Sequence, residues 1–222
     1  MRIMKIVKDK IKIITKEAKW TSWAELKSLS EAGKLGEVLK SGDNIPVTLK
    51  NGEKVSFDIG RDESGKIYFI MHNCLKERKP MNGDWTNKGG WEESEIRRYL
   101  NEEVIELLPD ELKKVIKPTK IVQVWDGKRR ETEDKLFLLS RTQVFGKYEN
   151  YEAIEPSDSQ IDIFENQRER VKECEEVEEV YCWWLRSPVS STSGIFCYVF
   201  TDGTVYGNTA SNSYGVAPAF CI

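Results

Sequence analysis

The chain has 222 residues, 71 of them charged, with a net charge of −3 and 39% hydrophobic residues. That balance predicts a soluble globular protein of one domain, or one domain plus an appendage, with a sizeable core, and excludes a collagen, a basic nucleic-acid arm and a disordered acidic tail. The average hides an asymmetry, because residues 187–222 carry one charged residue, Asp202, and none of the chain's 64 Lys, Glu, Gln, Met and Trp residues, although about twelve would be expected there at the frequency of the preceding segment.

Met1 to Lys19 interrupts its apolar residues with Lys5, Lys8, Lys10 and Lys12, so no signal-peptide core or membrane span is expected. The first fifteen residues fit a strand or a helix equally. Synthesis in the cytoplasm follows as the expectation, with any virion or cell-surface location reached on a larger particle. From Thr21 as N-cap, Trp23, Leu26, Leu29, Leu35, Val38 and Leu39 predict one amphipathic helix with Gly33 as its breaking point, ending at Ser41-Gly42-Asp43. Residues 1–44 are thus expected to form an N-terminal segment and helix ahead of a domain over 45–222.

Ile45–Leu49, Lys54–Ile59 and Lys66–Met71, joined by Asn51-Gly52 and a turn near Gly65, predict a three-stranded antiparallel meander. Glu92–Leu108 carries Ile96, Tyr99, Leu100, Val104 and Leu107 on one helical face, and Pro109-Asp110 opens a shorter helix to Val115. Lys120–Trp125 and Lys135–Leu139 read as strands paired across Asp126-Gly127-Lys128, and Ile161–Glu173 as a helix. Short strands follow over Tyr181–Leu185, Ile195–Phe200, Thr204–Tyr206 and Val216–Ile222. Helices between an early meander and late strands give an α+β architecture.

No catalytic site emerges. The only histidine, His72, ends a predicted strand and reads as structural; phosphate loops, nucleophile elbows and His/carboxylate metal spacings are absent. Five cysteines without C-x-x-C spacing argue against zinc and a disulfide framework, and read as reduced core thiols. The run Glu173, Glu175, Glu176, Glu178, Glu179 reads as a solvated end rather than a cation site. No metal or other cofactor is expected.

Trp183-Trp184-Leu185-Arg186-Ser187-Pro188 is the bulkiest six-residue stretch. Strand alternation sends one tryptophan into the core and its neighbour over another element, with Arg186 on the side of Trp184 and held in an ion pair. Beyond it, Asp202-Gly203 suits a three-residue hairpin loop closed by a left-handed glycine, which pairs Phe200 with Thr204, Val199 with Val205 and Tyr198 with Tyr206. The two valines then face the core, while Tyr198, Phe200, Thr204 and Tyr206 face outward. Flanked by Ser/Thr- and Asn/Ser-rich loops, such a face has the composition of a paratope: rigid aromatic contact area with adaptable hydrogen bonding.

Trp91-Glu92-Glu93-Ser94-Glu95-Ile96-Arg97-Arg98-Tyr99-Leu100-Asn101, Leu136-Phe137-Leu138-Leu139-Ser140, Trp183 to Pro188 and Tyr214-Gly215-Val216-Ala217-Pro218-Ala219-Phe220 together resemble the serial motifs of a bacterial and phage domain of the C-type lectin-like fold. Ala217 stands where that family commonly has arginine. Some members resemble the variable proteins of diversity-generating retroelements, in which adenine-directed mutagenesis rewrites Asn-type codons near the 3′ end of the gene. Those codons can never become Lys, Glu, Gln, Met or Trp, the five types missing after Arg186.

The resemblance implies a non-enzymatic binding protein that recognises a protein or cell-surface ligand, with no nucleic-acid partner and no membrane insertion. Its expected contacts are Val189, Ser190, Ser191, Thr192, Ser193, Ile195, Tyr198, Phe200, Thr201, Thr204, Tyr206, Asn208, Thr209 and Asn212. Trp183, Trp184, Val199, Val205, Pro218 and Phe220 would be scaffold. Two other classes compete: an assembly module of a phage or cell-surface particle, and a formylglycine-generating-type enzyme using a cysteine pair among Cys182, Cys197 and Cys221.

Overall fold

A computed structural model describes residues 20–147, 155–174, 179–189 and 193–222. The open strand-or-helix alternative for the first fifteen residues lies outside them. The N-terminal helix divides in two, α1 (Trp23–Glu31) and α2 (Leu35–Val38), because Gly33 adopts a left-handed φ of 69° between them. Ser22, not Thr21, is the N-cap, accepting from the Glu25 amide; Thr21 instead donates its amide and hydroxyl to the Glu25 carboxylate. Leu26 on α1 is fully buried in the same core as the strands that follow.

The meander forms as expected from strands β1 (Asn44–Thr48), β2 (Lys54–Arg61) and β3 (Ile67–Met71), each antiparallel to the next. A fourth strand comes from the far end of the chain. Strand β11 (Ala219–Phe220) pairs with β3, placing Ala219 opposite Ile70 and Phe220 opposite Phe69. Phe57, Phe69 and Phe220 meet there with Trp23 of α1 against two of them, so the two ends of the described chain close one aromatic core.

The helix expected over Glu92–Leu108 is interrupted after Gly90–Glu93 by the extended Ser94, whose hydroxyl donates to the Trp91 carbonyl. It resumes at Glu95–Tyr99, passes through a π turn at Leu100–Val104 and ends at Ile105–Leu107. Asp110–Val115 is helical behind Pro109 as expected. Two further expectations fail. Strand β4 (Thr119–Trp125) pairs with β5 (Lys128–Asp134), not with Lys135–Leu139, because Asp126 and Gly127 both take positive φ (51° and 67°) and reverse the chain within two residues. Phe137 instead bridges Ala219. Ile161–Glu173 is no helix: it forms 3₁₀ turns at Asp162–Phe164 and Gln167–Arg170 and then strand β6 (Lys172–Cys174), paired with β7 (Glu179–Tyr181).

Strands β8 (Trp183–Pro188), β9 (Ile195–Val199) and β10 (Val205–Thr209) make a separate antiparallel sheet in the order β10-β9-β8. The whole is α+β, with small antiparallel sheets and short helices. Among the described residues no helix is long and apolar enough to cross a membrane.

Candidate binding surface

Both tryptophans of β8 are fully buried, and they serve different neighbours. Trp183 donates its indole N–H to the Arg170 carbonyl (2.8 Å) and lies near Phe164. Trp184 donates to the Lys79 carbonyl (2.9 Å) and packs on Tyr214, ring centroids 4.7 Å apart. Arg186 sits at the register shift of β8, wholly buried, and donates to the Leu138 carbonyl, the Gln143 amide oxygen and the Asp158 carboxylate. The expected ion pair therefore forms. A second carboxylate lies beside it: Glu155 accepts from Ser187 Oγ (2.8 Å) and Gln123 Nε2 (3.0 Å), and burial pushes its carboxyl above the ordinary range against the opposing pull of Arg186.

This polar cluster anchors the start of the C-terminal segment; the hairpin projects beyond it. Val199 pairs with Val205 and Tyr198 with Tyr206, and the Phe200 amide donates to the Thr204 carbonyl at 2.8 Å, the register the alternation implies. Gly203 closes the loop at φ 84° with its amide on the Phe200 carbonyl, and the Asp202 carboxylate accepts from the Thr204 amide and hydroxyl. Val199 is fully buried and Val205 half-buried.

The expected contacts divide by exposure. Ser193, Phe200 (38% exposed), Thr201 and Tyr206 (54%) face solvent, with Phe200 and Tyr206 edge to face at 5.6 Å. Val189, Ile195, Thr204, Asn208, Thr209 and Asn212 are half-buried. Ser190, Ser191 and Thr192 lie outside the described residues. Tyr198 corrects the expectation that it faces outward: it is 8% exposed, because Tyr214 packs on it at 4.7 Å and Trp184 and Tyr206 flank it. Burial raises its hydroxyl pKa to about 12. Asn208 turns its amide N–H onto the Tyr214 hydroxyl.

Two residues outside the expected set shape this face. Tyr214 supplies the ring that covers Tyr198. Trp85 is 64% exposed and lies on Gly194, where an added Cβ would fall 2.3 Å from the indole. Its neighbour Asn87 donates to the Ile195 carbonyl at 3.0 Å. A tryptophan in the polar stretch Gly83-Asp84-Trp85-Thr86-Asn87 is a signal visible in the sequence, since a loop gives such a ring little local reason for burial.

His72 stands apart from this face. Its Nδ1 is 2.7 Å from the Asp58 carboxylate, which also accepts from Asn44 Nδ2. Of the cysteines with described side chains, Cys74, Cys197 and Cys221 are buried and Cys182 is half-buried. Among the described residues, no group of three or more His, Cys, Asp and Glu side chains is placed to hold a metal ion; Glu175, Glu176 and Glu178 of the acidic run lie outside them.

Residues 65–222 match the family described as "Domain of unknown function (DUF6273)", and the chain belongs to that family. The match begins in the turn before β3 and runs through β11. No curated protein and no solved structure matches the chain.

Proposed function

We propose that the protein is a non-enzymatic binding protein whose C-terminal segment presents a diversified ligand-binding surface on a C-type lectin-like scaffold. One observation carries the reading: main-chain bonds fix the path of the segment, which leaves its outward side chains free to change. Met71, Leu75, Lys79 and Met81 donate their amides to the carbonyls of Pro218, Val216, Tyr214 and Ala210, at 2.8 to 3.0 Å. Phe137 and Ala219 exchange a pair of main-chain bonds, and the Ala210 amide donates to the Gly194 carbonyl. These bonds do not depend on which side chains project outward.

Exposed Tyr206 and Phe200 within a rim of Ser, Thr and Asn supply a few aromatic anchors inside adaptable polar contacts, the pattern from which binding surfaces draw most of their energy. The five absent residue types fit adenine-directed rewriting of the segment. The formylglycine-type alternative needs an activated thiol, whereas burial pushes the thiols of Cys182, Cys197 and Cys221 upward, Cys197 to about 12.

A library randomised at Ser193, Phe200, Thr201 and Tyr206 tests the reading. Most members should stay folded with melting temperatures near that of the parent, and selection against a panel of unrelated proteins should yield binders. A library that is mostly unfolded, or folded but barren, would count against it.

A further inference from the structure

A second site lies away from the hairpin, between the α1–α2 turn, the β2–β3 turn and the start of β4. It is a groove of about 550 Å³, within the usual range for small-molecule sites. Four cationic side chains line it, Arg61, Lys66, Lys117 and Lys120, and no Asp or Glu does. Even against a carboxylate at Ile222, whose main-chain oxygen accepts from Ser30 Oγ at 2.5 Å, the groove keeps a positive excess.

The four cations differ in what already holds them. Arg61 donates to the Leu39 carbonyl (2.5 Å) and more weakly to that of Gly36 (3.4 Å), and its buried Nε has no partner. It is a fixed charge in the wall. Lys120 is paired with Glu131 at 2.6 Å. Lys66 lies over the Tyr68 ring, 4.9 Å from its centroid, and the Lys117 ammonium makes a long contact of 3.4 Å to Ser30 Oγ. Neither of those two lysines has a carboxylate within salt-bridge distance among the described residues, so both ammonium groups can turn to a ligand.

We infer that this groove binds a small phosphorylated molecule, with Lys66 and Lys117 as its principal phosphate contacts and Arg61 as a fixed charge behind them. Flexible ammonium groups serve phosphate oxygens as point charges, and low-dielectric walls strengthen the attraction. The inference is independent of the reading of the hairpin.

Calorimetric titration of the full chain with pyrophosphate and with adenosine diphosphate, at constant ionic strength, tests it. Either ligand should bind saturably at one site per chain, and tighter binding of adenosine diphosphate than of pyrophosphate would point to a nucleotide as the source of the phosphate. Lys66→Ala with Lys117→Ala should weaken binding by about tenfold or more. Lys54→Ala with Lys128→Ala, which removes the same charge outside the groove, should leave it within about twofold. Lys66→Gln with Lys117→Gln, which keeps the aliphatic stems, replaces the alanine pair if melting shows that pair to be unfolded. Absence of saturable binding by both ligands, or equal weakening in the two charge-matched variants, would overturn the proposal.

Discussion

Phe220 stacks face to face on Phe69, with ring centroids 4.9 Å apart and planes within 8° of parallel. The contact joins the last strand to the N-terminal meander, so the end of the chain that displays the hairpin is pinned inside the oldest part of the core in chain order. Phe220→Ala removes a fully buried ring from that joint and should cost about 3–5 kcal/mol. Urea unfolding measures it, and a loss below about 1 kcal/mol would mean the joint does not hold the fold.

Asp158 and Arg186 form the ion pair at the base of the C-terminal segment. Asp158→Ala would leave a buried guanidinium with carbonyl and amide partners and, nearby, only the Glu155 carboxyl, whose ionisation burial opposes, at a cost of about 3 kcal/mol or more. Replacing both residues with apolar ones of similar volume should restore much of that loss, and a double-variant cycle by chemical unfolding tests the coupling.

The hairpin loop has one position that tolerates change and one that does not. Thr201→Ala should shift stability by no more than about 0.5 kcal/mol, since the side chain is exposed. Gly203→Ala forces an L residue to φ 84° and sets its Cβ 2.2 Å from the Gln167 carbonyl, for a cost of about 1–3 kcal/mol or more. Thermal melts of the two variants should separate clearly; equal melting temperatures would refute the turn geometry.

Two carboxyls give the stability opposite pH slopes. Burial opposes ionisation of Asp58, but the hydrogen bond and charge of His72, with Lys172 and Asn44, outweigh it and hold the carboxyl below 3.8. Its contribution is therefore present above that value and lost as pH falls toward the lowered one. Glu155 is raised above 4.5 by burial, so its contribution is complete below 4.5 and lost as pH rises through the raised value. Asp58→Asn should flatten the acid limb of a urea-midpoint profile, and Glu155→Gln the limb above pH 4.5. A parent-like profile in either variant would contradict the assignment of that limb.

The sequence announces the structure where neighbours in the chain decide it. Asn51-Gly52 and Asp202-Gly203 mark turns, and the alternation around Val199 and Val205 sets a register that the fold keeps. It is silent where distant residues decide. Strand β5 reads Lys-Arg-Arg-Glu-Thr-Glu-Asp, with no apolar alternation; it pairs because the Asp126-Gly127 turn folds it back on β4, burying Thr132 and Asp134. Lys172 is buried with its ammonium on the Met71 and His72 carbonyls, a partnership across a hundred residues that no local pattern encodes. Tyr198 looked outward by alternation, yet Tyr214, sixteen residues further on, covers it.

The most direct test of the central claim is to sequence the bases encoding residues 187–222, with their flanking DNA, from many independent isolates. A diversified segment requires a neighbouring reverse transcriptase gene and a near-copy of this stretch, with substitutions confined to positions where the copy has adenine. Those substitutions should fall on outward positions such as Phe200 and Tyr206 while Gly203 and Phe220 stay fixed. Absence of the copy, or substitutions scattered without regard to adenine or exposure, would contradict it.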